Sequence, residues 1–116
     1  MAEDFFTGSK FGDDEGNTFS VEKVINFAQQ QPRALRSISS RRLEHNREFW
    51  QGNEGRMQDA DTSHPLLVVK DGIGRKSMSI ADGLNRYEKL RRGGAKKVNA
   101  LVVKKKDIAH LADPKE

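Results

Sequence analysis

Apolar positions in this chain recur in blocks whose periods differ, and each period predicts a different element. Val21, Val24, Ile25 and Ala28 stand at i, i+3, i+4 and i+7, one buried stripe of a helix. Ser20 is placed to cap it, Glu22 suits the positive end of its dipole, and Pro32 stops it. Pro65-Leu66-Leu67-Val68-Val69-Lys70 is a continuous, partly β-branched run and reads as a buried strand. Asp71-Gly72 is a turn signal, the stretch through Gly74 and Arg75 continues it, and Ser77 to Ala81 then alternates polar with apolar as a half-buried strand does. A helix over 83–92 follows, with Asp82 as its predicted N-cap, Leu84, Tyr87 and Leu90 as its core stripe, and Gly93-Gly94 at its end. Val98 to Val103 is a further strand, and Asp107 to Leu111 a terminal helical turn or two. Arg36 to Ser39 predicts a short strand, Ser40 to Leu43 a short helix, and Gln51 to Ser63 a long polar loop with two glycines.

This order predicts an α/β (α+β) fold: a small mixed β-sheet with flanking helices. The link from strand 77–81 through the helix to strand 98–103 is long enough for a crossover. There are no internal repeats. Of the 116 residues, 34% are apolar and 33% charged, which suits one compact domain with solvated flanks. The expected division is an acidic, disordered or loosely docked arm over 1–17, the domain over 18–112, and a tail over 113–116. Phe5, Phe6 and Phe11 are unusual in such an arm and are expected to dock within the protein.

The absence of cysteine excludes disulfides, a thiolate nucleophile and a cysteine-based zinc site. His45, His64 and His110 lie far apart without ligand spacing, so no metal site is expected from them. His64, ahead of Pro65, reads as a surface-loop residue, with a place beside the site as the alternative. Phe49 and Trp50 read as a core anchor, with base stacking as the alternative. No run of 18 apolar residues and no basic-then-apolar leader are present, so no membrane partner is expected and the cytoplasm is the expected location.

Charge changes the picture more than composition does. The net charge is only +4, yet Met1 to Gly16 is acidic, while Arg86 to Lys106 carries nine lysines or arginines against Glu88 alone. That asymmetry predicts a nucleic-acid surface on Arg91, Arg92, Lys96, Lys97, Lys104, Lys105 and Lys106. Arg41 and Arg42 are placed to extend it, and Arg33 reads as a solvated residue.

The candidate chemistry sits at Asp82-Gly83-Leu84-Asn85-Arg86. A helix start leaves backbone N–H groups without intrahelical partners, glycine admits a close approach, and arginine forks onto phosphate oxygens. Gly83, Leu84, Asn85 and Arg86 are therefore the predicted phosphate- or nucleotide-binding residues. Asp82 is either a helix cap or, with a metal ion, a catalytic ligand or base.

Ser79-Ile80-Ala81-Asp82-Gly83-Leu84-Asn85-Arg86-Tyr87-Glu88-Lys89-Leu90, with Gly94-Ala95-Lys96-Lys97-Val98-Asn99-Ala100-Leu101-Val102-Val103, resembles the ParB/sulfiredoxin superfamily over roughly residues 18 to 108. Relatives carry a strand, an Asp-Gly-x-His-Arg turn, a helix and a strand reading Val-x-Ala-x-Val. The upstream Ser-Val-Glu-Lys-Val-Ile helix and the Ile-Ser strand fit the same order. The resemblance implies a phosphate site at the Asp-Gly turn, a nucleotide such as CTP or ATP with magnesium as cofactor, and a place for Glu22 near that nucleotide. Two departures matter. The family's histidine is Asn85 here, and an amide cannot shuttle a proton. Sulfiredoxin chemistry is excluded because its cysteine falls at Leu84.

Three functions follow as expectations. The first is a ParB-like domain that binds nucleic acid or a nucleotide. The second is an enzyme, a nuclease or a nucleotide-dependent phosphotransferase. The third, suggested by the stand-alone format, is a phage or plasmid interaction protein that inhibits an acidic host factor.

Overall fold

The computed structural model describes residues 9–13, 15–70 and 78–114. It is a mixed α/β fold with two small sheets and flanking helices. The main sheet has four strands: β3 (Leu35–Ser39), β4 (Leu66–Lys70), β5 (Met78–Asp82) and β6 (Lys97–Lys104), in the order β3-β6-β4-β5. β4 pairs antiparallel with β5 and parallel with β6, and β3 closes the far side antiparallel to β6. Helix α3 (Leu84–Arg92) carries the chain from β5 across to β6, which is how β4 and β6 come to run parallel.

Alternation in the two central strands divides the core. Leu67 and Val69 of β4 and Leu101 and Val103 of β6 face helix α1 (Val21–Gln29), where Val21, Val24, Ile25 and Ala28 are all buried. Leu66 and Val68, with Val98, Ala100 and Val102, face Tyr87 of α3 and Leu43. Strands covered on both sides read as continuous apolar runs, which is why β4 and β6 were legible. Ser20 caps α1 as predicted, its hydroxyl accepting from the Lys23 N–H at 3.4 Å.

Two local expectations are corrected. Ser40–Phe49 is one long 3-10 segment rather than a short helix, and Ser40 does not cap it: its hydroxyl donates to the Ala95 carbonyl at 2.8 Å. The polar stretch from Gln51 contains helix α2 (Glu54–Asp59), capped by Asn53, whose side chain accepts from the Arg56 N–H at 3.0 Å. Within the segment read as an arm, Lys10–Gly12 forms strand β1 and pairs with β2 (Thr18–Ser20). Phe11 stacks on Phe19 with ring centroids 5.2 Å apart, so this phenylalanine docks inside the protein as expected. Asp113, assigned to the tail, accepts from Lys10 and Thr18. After β6 the chain ends in α4 (Lys105–Ile108) and a 3-10 turn, Ala109–Leu111. The Asp71-Gly72 turn, Gly74, Arg75, Ser77, Phe5 and Phe6 lie outside the described residues. Among the described residues no helix is long and apolar enough to cross a membrane.

Leu43 is the one buried apolar side chain of the 3-10 segment. Leu43→Ala is expected to cost about 2 to 5 kcal/mol, read as a lower midpoint in urea at unchanged slope.

Candidate functional site

The predicted phosphate turn is built differently from its expectation. Asp82 is the last residue of β5, and Gly83 is the N-cap of α3, with φ of +100° in the left-handed region. The chain passes from strand to helix in a single residue, and only glycine takes that conformation without strain. Asp82 is therefore not the cap. Its carboxylate accepts from the Gly83 N–H and from Arg86 Nη2 at 2.7 Å. Arg86 Nη1 donates to the Pro65 carbonyl at 2.9 Å, and the arginine side chain is only 11% exposed. Arg86 thus clasps the end of β5 to the start of β4, two neighbouring strands at one edge of the sheet. Its guanidinium also fills the space over Gly83, where a Cβ would lie 2.9 Å from both Nη2 and Leu66 Cδ2. Burial pushes the Asp82 carboxyl above its ordinary value, and Arg86 pulls it back only in part.

Asn85 is also engaged. Its Oδ1 accepts from Trp50 Nε1 at 2.9 Å, and the Arg92 guanidinium lies 4.8 Å from the centroid of the Trp50 ring. Trp50 is anchored by this contact rather than in the core, and Phe49, also expected to be an anchor, is 64% exposed. The first intrahelical bond of α3 runs from the Tyr87 N–H to the Gly83 carbonyl, so the amides of Leu84, Asn85 and Arg86 precede the ladder. Their dipole end remains favourable to an anion. Arg86 is already engaged there by Asp82 and the Pro65 carbonyl, and a single paired carboxylate does not fit a magnesium ion.

The predicted basic surface divides into spent and spare cations. Glu88, with its side chain 3% exposed, receives Arg47 on both oxygens, Nε at 2.8 Å and Nη2 at 2.9 Å, and Arg92 Nε at 2.9 Å. Arg92 Nη1 also donates to Glu54 at 2.8 Å. Glu44 accepts from Arg47 Nη1 at 2.8 Å and Arg91 Nε at 2.7 Å. Hydrogen bonds from Arg47 and then Arg91 hold the Glu44 carboxyl down to about 2. Tyr87 donates to the Ser40 carbonyl at 2.6 Å, and burial, with Glu44 beside it, pushes its hydroxyl up to about 12. Arg91 and Arg92 are therefore neutralised within the protein. Their partners Glu44 and Glu54 lie on other elements, so a count along one segment could not register them.

Lys105 is likewise paired, with Glu15 and, at 3.9 Å, with Asp13. Lys96, Lys97, Lys104 and Lys106 are exposed. The two lysine groups occupy opposite ends of β6, about 23 Å apart at about 3.3 Å per residue. Lys96 and Lys97 gain different neighbours. Ser40 N–H donates to the Lys96 carbonyl at 2.9 Å and Ser39 pairs with Lys97, which sets Arg41 and Arg42 beside them. All four are exposed, and none forms an ion pair among the described residues.

The other candidates are dispersed. His45 Nε2 lies 2.7 Å from the Met78 carbonyl, His64 is 3.4 Å from Asp61, and His110 meets the Phe27 ring edge-on. Glu22 is exposed in the first turn of α1, the helix that packs on the face of the sheet opposite Tyr87 of α3. Among the described residues no three His, Cys, Asp or Glu side chains cluster as a metal site would require. No protein-family model, curated protein or solved structure matches this chain.

Two outcomes test the polar framework. Glu88→Gln is expected to lose about 2 kcal/mol in denaturant melts, less than the 3–5 of a fully buried pair because Arg47 and Arg92 reach solvent. Acid sensitivity follows from Glu44 and Glu88, both lowered. A lowered carboxyl stabilises above its ordinary value and loses that contribution as pH falls through its folded value. Tm is therefore expected to fall as pH drops from about 5 to about 2, with Asp82, shifted the other way, opposing the trend. Glu44→Gln is expected to flatten the Tm-against-pH curve.

Proposed function

We propose that this chain is a nucleic-acid-binding domain of the ParB-like type whose contact surface is the basic corner formed by Arg41, Arg42, Lys96 and Lys97. One observation carries the reading: these four exposed cations converge from two elements without an acid partner among the described residues, while the neighbouring Arg47, Arg91 and Arg92 are held by Glu44, Glu54 and Glu88. Unpaired, mobile cations gather phosphates and release their counterions, and paired ones do so only after losing their acids. The order of strand, Asp-Gly turn, helix and strand that motivated the resemblance supports the same reading.

In this reading the Asp82–Arg86 pair is structural and holds the corner's supporting helix in place. Neither CTP nor ATP, with or without magnesium, is then expected to raise Tm, and a nucleotide-specific rise would restore the turn as the site.

Direct binding is tested by gel shift with duplex DNA at several salt concentrations. Replacing Arg41, Arg42, Lys96 and Lys97 by alanine is expected to weaken binding uniformly across sequences and to lower the salt slope by about 3 to 4. Arg91→Ala is expected to leave that slope unchanged. Equal losses from Arg91→Ala, or no shift at micromolar protein, would count against the proposal.

A further inference from the structure

The second surface lies along the outer edge of β3. At one end of the β3–β6 ladder the Val102 N–H donates to the Ala34 carbonyl at 2.8 Å, and at the other the Ser40 N–H donates to the Lys96 carbonyl at 2.9 Å. The register between them is unbroken, with Leu35 opposite Leu101 and Ser39 opposite Lys97. Hydrogen-bonded pairs alternate in an antiparallel ladder, so Ala34 turns its carbonyl toward β6, and Arg36 and Ile38 turn both backbone groups there. Leu35, Ser37 and Ser39 then direct theirs away from the sheet.

An open edge of this kind is a template for another strand. Its side chains indicate what that strand carries. Leu35 is on the α1 face, as is its partner Leu101, yet it is 63% exposed. Arg36, opposite Ala100, is on the other face. A groove of about 270 Å³ opens where β3 begins, its apolar wall formed by Phe27, Pro32 and Val102 and its cations by Arg33, Arg36 and Lys104. Asp107 is the one acid on its lining. None of the three cations is in an ion pair among the described residues. A second copy of the chain pairing here in antiparallel fashion about Arg36 would set that arginine against its own counterpart, which charge repulsion opposes.

We propose that the β3 edge binds an extended acidic segment of a partner protein by strand addition, with apolar residues beside Leu35 and carboxylates beside Arg36 and Arg33. Main-chain hydrogen bonds to Leu35 and Ser37 supply affinity, and the alternation of side chains supplies selectivity. This surface is separate from the basic corner proposed for nucleic acid.

The test uses the full chain, labelled with nitrogen-15, and the peptide Glu-Val-Glu-Val-Glu-Val-Glu. The peptide is expected to slow amide exchange at Leu35 and Ser37 by about tenfold or more, with Arg36→Glu and Arg33→Glu each weakening it by about tenfold. Ser37→Pro removes an outward N–H without breaking the β3–β6 ladder and is expected to abolish binding. The charge variants keep the question open to test should that proline variant not fold. Equal binding of seven glutamates or of the lysine-for-glutamate peptide would overturn the proposal. So would protection of the same amides by a thymidine oligonucleotide, their protection in a concentration-dependent dimer, or no peptide binding at millimolar concentration.

Discussion

Glu88 carries its charge into the interface between α3 and the 3-10 segment, where Arg47 meets both of its oxygens and Arg92 one of them. The second face of the sheet depends on that contact. Ser40–Phe49 buries only Ser40, Leu43 and Asn46, too little apolar surface to hold ten residues in a conformation that seldom runs beyond three or four. Polar anchors hold it instead. Tyr87 fixes its start through the Ser40 carbonyl, and Glu88 grips Arg47 near its end. Asn46 ties its middle to β5, accepting from the Ile80 N–H at 3.0 Å and donating to the Met78 carbonyl at 3.3 Å. A carboxylate taken out of water is costly unless fully paired, and here both oxygens are satisfied.

The same network neutralises part of the positive charge. α3 is rich in arginine, but the acids of the 3-10 segment and α2 neutralise Arg91 and Arg92, and Lys89 donates to the Gln58 and Ala60 carbonyls at the end of α2. Among the cations left to solvent are Arg41 and Arg42 beside the start of β6, and Arg33 and Arg36 around the start of β3. The proposals place nucleic acid and an acidic peptide on two separate surfaces, each backed by a strand.

The Asp82–Arg86 pair shows how one motif serves two ends. Gly83 makes the abrupt passage from strand to helix, and the arginine one turn later folds back over it to reach Pro65. A close approach to the glycine is therefore real, but the group that approaches belongs to the protein itself. Glycine is required at this position whether or not a ligand ever visits, because φ is positive and the arginine and Leu66 already fill the space of a side chain.

Local pattern determined the elements whose stability is apolar. β4 and β6 followed from continuous runs of Leu and Val, and α1 from its stripe behind Ser20. The spacing of Leu84, Tyr87 and Leu90 placed α3, and their order along the chain predicted a mixed sheet with flanking helices. Tertiary structure alone decided the rest. The 3-10 segment and α2 are mostly polar, with Leu43 and Met57 their only buried apolar side chains, so no hydrophobic period marked them, and contacts with α3 and β5 set their conformation. Arg91 reads as a free cation beside its neighbours and as a neutralised one beside Glu44, which is 47 residues away in sequence. Arg86 likewise reads as an unengaged cation until Pro65, 21 residues upstream, is brought within reach of it. Hydrophobic burial repeats at the period of the element that buries it and so leaves a local trace, whereas ion pairs and hydrogen bonds between elements leave none until the chain has folded.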